Sequence, residues 1–201
     1  MSHKAIVFPS LGADLEVISV PTATLLSDYV HVAVEYVGLT PLDVWQGYHG
    51  LFATFPNIPG DTLVGTIVAV GDAVTHVAKG DRVLAMVFGT QEQKAAQAIA
   101  HVPANRVGKV PANVDSVSAA TVSSGLVMTY HTLISRVNGL GLWLCTGLPN
   151  EDFEPLSTEE RDRRILVWGA SSSVGLYTVP VLAFSGLGGS GPMLCMAGYE
   201  S

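Results

Sequence analysis

The feature that most constrains this chain lies at residues 165–175. An apolar strand, Ile165-Leu166-Val167-Trp168, runs into a small-residue turn, Gly169-Ala170-Ser171-Ser172-Ser173-Val174-Gly175. A strand apolar on both faces belongs inside a sheet covered on both sides. A tight turn from such a strand into a helix lets backbone N–H groups and the helix dipole meet a phosphate. Gly169 permits the bend, Gly175 permits close packing of helix on strand, and Ser171, Ser172 and Ser173 add hydroxyl donors. Small-residue turns of this kind are common, so the stretch by itself predicts a βα junction and leaves nucleotide binding open.

The first 110 residues follow a different pattern. Ala5 to Phe8, Leu15 to Val20 and Tyr29 to Val37 are short runs rich in Val and Ile, bounded by Gly, Pro, Asp and Ser. In the third, Val30, Val32, Val34 and Tyr36 alternate with His31 and Glu35, as one half-buried face requires. Gly65 to Gly71 and Arg82 to Val87 continue the series, each beside a turn, and the segment from Pro103 to Pro111 closes it. Short strands at this spacing predict a barrel or sandwich over roughly residues 1–121. The periodicity then changes. Ser116-Val117-Ser118-Ala119-Ala120 begins a helical stretch, and Leu126, Met128, Tyr130, Leu133, Ile134 and Val137 predict a helix over about 122–137, stopped at Asn138-Gly139. Ser157 to Glu160 has a capping-box pattern that predicts a short surface helix. Domains are thus expected at 1–121 and 122–201.

Composition narrows the function classes. Ten Lys and Arg against 17 Asp and Glu give a net charge of -7, which argues against nucleic acid, since a phosphate backbone needs a basic face. Cys145 and Cys195 are the only cysteines, so neither a disulfide scaffold nor a cysteine-built zinc site is expected. His3, His31, His49, His76, His101 and His131 show no paired ligand spacing, and no metal is expected. No secretory pattern opens the chain, and a cytoplasmic location is expected. From Ile165 to Tyr199 there is no charged residue, yet repeated Gly and two Pro break that stretch into pieces too short for a membrane span. The serines at 171–173 lack a Gly-x-Ser-x-Gly elbow, and neither cysteine has an activating setting, so a hydrolase is not expected.

Taken in order, several motifs resemble the medium-chain dehydrogenase/reductase superfamily, in particular its zinc-free quinone oxidoreductases and the fungal trans-acting enoyl reductases of polyketide synthases. They are Val37-Gly38-Leu39-Thr40-Pro41-Leu42-Asp43, Ile58-Pro59-Gly60-Asp61, Gly65 to Gly71, Lys79-Gly80-Asp81-Arg82-Val83, Pro103 to Pro111, and Gly169 to Gly175. The resemblance covers residues 4–179. It implies a mixed α/β chain: a GroES-like β-barrel domain followed by the first βα unit of an incomplete Rossmann domain.

The resemblance also implies a chemistry, the NADPH-dependent reduction of an enoyl or enone substrate, which in the trans-acting branch is presented by a polyketide synthase. Zinc-dependent members carry a Cys after the third strand and a His-Glu pair after Pro-Gly. This chain has Thr40 and Asp43 in the first place and Asp61-Thr62 in the second. Enoyl reductases read Asn-Pro-x-Asp, an aromatic residue, then Lys; here Thr40 replaces the Asn and Trp45 the Lys. Thr129, within Gly125-Leu126-Val127-Met128-Thr129, matches the family's Thr at the cofactor cleft, or back-bonds within its own helix. Asp43 is either a site residue or a turn and capping residue. The implied catalytic residues are Thr40, Trp45 and Thr129. The implied cofactor residues are Pro41, Asp43, Thr129, Gly169, Ser171, Ser172, Ser173, Val174 and Gly175.

The resemblance gives out after Val179. Pro180 falls where the glycine-loop helix should continue, and is expected to stop it. The chain is expected to be cut short within its second domain and to bind NADPH weakly or not at all, leaving the strand at 165–168 without partners. The competing expectation is a GroES-like domain acting alone, as a non-redox binding or cyclase/isomerase-type protein.

Overall fold

The computed structural model describes residues 1–135, 137, 139–140, 165–184 and 195–196. Its contacts divide the chain into two units, Met1–Ser124 and Gly125–Ser201. The capping box at Ser157–Glu160, Asn138 of the predicted helix stop, and Cys145 lie outside the described residues.

In the first unit, β1 (Ser2–Val7) and β2 (Glu16–Pro21) form an antiparallel hairpin. Five more strands make an antiparallel sheet in the order β6-β3-β4-β5-β7: β3 is Tyr29–Gly38, β4 Thr62–Val70, β5 Arg82–Met86, β6 Ile99–Pro103 and β7 Val107–Lys109. Alternation decides which face is buried. Val30 and Val32 of β3, Leu63 and Ile67 of β4, Val83 and Ala85 of β5 and Val102 of β6 point into one core. Fully burying a Val or Leu contributes about 1.5–3 kcal/mol, so this layer dominates the unit's stability. The stretch 95–98 ties the hairpin to the sheet: Ala96 O accepts from Ile6 N at 2.8 Å, and Ala98 O accepts from Val34 N at 3.1 Å. The hairpin has its own small core of Ala5, Val7, Ile58 and Ala96. The result is barrel-like, as the strand spacing predicts.

One helix lies within this unit and a second begins in it. The strand pattern gave no sign of α1 (Pro41–His49). The second, α2, runs Ser116–Ile134: it starts where the sequence begins a helical stretch, joins it without a break to the helix expected over 122–137, and ends three residues short of that. Asp115 sets the start: its carboxylate accepts from Ser118 N at 2.9 Å and Ser118 Oγ at 2.6 Å, satisfying first-turn donors. These bonds hold the Asp115 carboxyl below its ordinary range. Ala119 and Ala120 pack with Val64 and Val110, so the helix begins as part of the first unit's core.

In the second unit, β8 is the two residues Val167–Trp168, shorter than the strand expected at 165–168. It pairs in parallel with β9 (Cys195–Met196), so the strand expected to lack partners has a short backbone partner from the tail. The helix after the glycine turn, α3 (Ser173–Phe184), continues through Pro180. This corrects the expected stop. A proline inside a helix costs about 3 kcal/mol, but Val179, Val181 and Leu182 pack beside it with Leu133 and Val167. Burial of that apolar stripe offsets the lost backbone bond. Among the described residues no helix is long and apolar enough to cross a membrane.

Candidate cofactor and substrate site

At the start of α1, Thr40 precedes the helix in extended conformation and Pro41 is its first residue, where the missing N–H costs nothing. Asp43 occupies the third position and is buried. One of its oxygens, Oδ2, accepts from Thr40 N at 2.7 Å and Thr40 Oγ1 at 3.1 Å; Oδ1 accepts from Gly60 N at 2.6 Å. Both oxygens are therefore engaged within the protein, locking Thr40 and the Pro59-Gly60 loop to the helix N-terminus, where the dipole favours an anion. This is the capping geometry that the sequence left as one of two alternatives.

Helix α1 is turned inside out. Its buried residues are Asp43, Gln46 and Gly47, while Val44, Trp45 and Tyr48 face outward. Trp45 is 52% exposed, and its ring lies 4.5 Å from that of His49. Leu39, Leu51 and Phe52 flank the helix and are also exposed, Phe52 at 87%. Apolar side chains gathered on the outward side of one helix and its flanks gain nothing from contact with water and make this face a candidate for a ligand or another surface. Sequence reasoning missed the face, though the signal was present: Asp43, Gln46 and Gly47 recur at helical spacing opposite the apolar residues.

Asp61, at the place where zinc-dependent relatives carry His, is paired with Lys94, and both side chains are almost wholly buried. A carboxylate held by an ammonium in this way is already neutralised. Among the described residues no group of three or more His, Cys, Asp or Glu gathers in a way that could hold a metal ion.

In the second unit Gly169 adopts φ 73°, the left-handed conformation that a sharp strand-to-helix turn needs. Ser172 caps α3: its Oγ accepts from Gly175 N at 3.1 Å and its O from Leu176 N at 2.9 Å. Ser171, Ser172 and Ser173 are exposed, and Val174 is half-buried. A Cβ on Gly175 would stand 2.4 Å from Gly169 O, so only glycine lets the helix sit this close to the turn. The exposed first turn of a twelve-residue helix, reached by a narrow glycine bend, suits an anion such as a pyrophosphate. NADPH, the cofactor implied by the sequence resemblance, fits this end by its phosphates.

Thr129 belongs to the same unit and is fully buried. Its hydroxyl reaches across to α3, 3.1 Å from Val174 O and 3.2 Å from Thr178 Oγ1, rather than back along its own helix. The buried face of this part of α2 is Gly125, Thr129 and Leu133, while Val127, Met128 and Ile134 are exposed. The apolar spacing therefore included Leu133 and Tyr130 of the packed face but missed Gly125 and Thr129, and it took in the exposed Met128, Ile134 and Val137. Helices packed this closely need small or branched residues at the contact, and those carry a weaker hydrophobic signal. The structure thus brings together Thr40, Pro41 and Asp43 in one place and Thr129 with Val174 in another.

A five-stranded antiparallel sheet with its two helices, followed by a strand, a glycine turn and a helix, is the architecture of the medium-chain dehydrogenase/reductase superfamily. Residues 27–132 match the alcohol dehydrogenase GroES-like domain, and the chain belongs to that family. It is 30% identical over 174 residues to the enoyl reductase component lovC of lovastatin nonaketide synthase from Aspergillus terreus, covering 83% of this chain and 44% of that protein. It is 27% identical over 192 residues to the trans-enoyl reductase ACTTS2 of Alternaria alternata, covering 93% and 52%. Among solved structures, mycobacterial Rv1454c complexed with NADPH superposes with a TM-score of 0.65 at 21% identity, covering 92% of this chain and 51% of that one. The chain spans about half the length of the curated relatives it matches.

Proposed function

We propose that this chain is the GroES-like and glycine-turn part of an NADPH-dependent reductase acting on an activated carbon–carbon double bond, an enoyl or enone substrate. The observation that carries the reading is the exposed N-terminus of α3 behind the Gly169–Gly175 bend, in a chain whose other unit is a GroES-like domain. When bound, NADPH supplies a hydride for the β-carbon of the substrate. The amides of Ser173 and Val174, with the hydroxyls of Ser171 and Ser173, hold the pyrophosphate; Ser172 and the two glycines shape the turn. The GroES-like unit orients the substrate. Thr40, fixed by Asp43, offers a polar contact, and the Trp45 face of α1 takes the apolar part of the acyl chain. With Trp45 where a lysine is usual, hydrogen bonding to the substrate carbonyl falls to other groups, bound water included.

The relative that is the enoyl reductase component of a nonaketide synthase supports a substrate presented by a polyketide synthase. Incubating the chain, extended to the full length of its relatives, with deuteride-labelled NADPH and an α,β-unsaturated thioester tests the activity. Saturated product carrying the label at the β-carbon is expected. No labelled product from enoyl thioesters, enones or quinones, at saturating cofactor, would contradict it.

A further inference from the structure

Helices α2 and α3 meet at three levels four residues apart on α2. Gly125 lies against Ser173 and Tyr177, Thr129 against Val174 and Thr178, and Leu133 shares a core with Leu182. At the first level there is no slack: a Cβ on Gly125 would stand 2.5 Å from Tyr177 Cδ2 and 2.8 Å from Ser173 O. At the second, three oxygens converge. Thr178 Oγ1 donates to Val174 O at 2.9 Å, and Thr129 Oγ1 lies within bonding reach of both. Two protons serve three contacts, so one hydroxyl must accept from the other or both must donate to the carbonyl. In either arrangement the Val174 carbonyl is tied down by side chains as well as by its own helix. Thr129 is fully buried, so water cannot take over its bond if the partner moves. Val174 is also the residue whose amide stands in the exposed first turn.

We infer that Thr129 and Thr178 are positioning residues that fix the first turn of α3, and with it the aim of the Ser173 and Val174 amides. The consequence for cofactor affinity rests on the pyrophosphate reading above. Thr178 has no counterpart in any motif read from the sequence. Its role comes from sitting one helical turn beyond Val174 and facing Thr129 across the seam.

Thr129→Val and Thr178→Val, which keep side-chain volume and remove the hydroxyl, test this in the full 201-residue chain, with Thr178→Ser as the hydroxyl-retaining control. Amide hydrogen exchange over Ser173–Leu176 is read alongside NADPH titration. Each valine variant is expected to speed exchange about fivefold, the loss of one ordinary hydrogen bond, and to raise the NADPH dissociation constant by about the same factor; serine restores both. Unchanged exchange in the double valine variant overturns the inference, and so does faster exchange that serine fails to restore. If the unaltered chain takes up no NADPH, the pyrophosphate reading fails, and the exchange data still decide whether the hydroxyls hold the turn.

Discussion

The two units solve the same problem, burying apolar strands, with different completeness. In Met1–Ser124, β4 has an antiparallel neighbour on each side over several residues, and Leu63, Val83, Val30 and Val102 are sealed from water. In the described part of Gly125–Ser201, β8 has a two-residue partner and the core is Leu133, Val167 and Leu182 with a few half-buried neighbours. Trp168 is 71% exposed and Leu176 62%. Antiparallel strands joined by short turns bring their own partners, whereas a parallel strand depends on chain far away in sequence. The first unit is therefore expected to hold the stability, and the second to carry the more adaptable part of the site.

The largest expected effect strikes the sheet. A Cβ on Gly65 would stand 2.1 Å from Ala33 O, between two strands that cannot part without losing the ladder. Gly65→Val should abolish the native fold, read as loss of cooperative unfolding; a cooperative transition near the original midpoint would show that the sheet is not the frame described. Next, Leu63→Ala should cost about 3 kcal/mol in denaturant titration, while Leu176→Ala, mostly in water, should change stability by less than about 0.5 kcal/mol. Equal losses would erase the contrast between the units.

Trp45→Lys should leave stability nearly unchanged, because the ring is half in water, yet alter turnover with an enoyl substrate when made in the chain extended to its relatives' full length. Unaltered turnover would remove the outward face of α1 from the site.

The smallest effect is a pH dependence confined to the first unit. His31 and His101 face each other across β3 and β6, with ring centroids 5.1 Å apart, and Tyr29 stacks on His101 at 4.3 Å. Burial, more than any other cause, lowers the pKa of both. For His31 the Ala23 backbone bond opposes the shift and His3 adds to it. For His101 repulsion by His31 adds to it, while Glu92 and Asp28 oppose it. The folded values lie below the unfolded value of 6.5, so the neutral rings contribute stability that is present above that pH and lost as pH falls through the folded values. The melting temperature should fall on acidification toward pH 5 by a few degrees, and His101→Gln should flatten the slope. A slope unchanged by that substitution would place the dependence elsewhere.

The units also differ in how legible they were. The β-rich half could be read because alternation at Val30, Val32 and Val34 and the turns at Lys79-Gly80-Asp81 are local signals. The glycine turn could be read for the same reason, and the motif order identified the superfamily. What escaped depends on tertiary contacts. Helix α1 buries its polar face because Asp43 serves Thr40 and Gly60, and although Asp43, Gln46 and Gly47 stand at helical spacing, a reading that looks for apolar periodicity passes over them. Pro180 is tolerated because of what packs beside it. The resemblance picked out Gly125 to Thr129, but not the seam they form with α3, because close approach selects small residues, which hydrophobic spacing passes over.

Titrating the 201-residue chain with NADPH, while following the backbone amides of Ser171–Leu176 by nuclear magnetic resonance, tests the central claim most directly. Saturable shifts centred on Ser173 and Val174 are predicted, with weaker than micromolar affinity because the exposed turn grips only the phosphates. Amides in that turn that stay unmoved at saturating NADPH would contradict the claim that α3 presents a cofactor site.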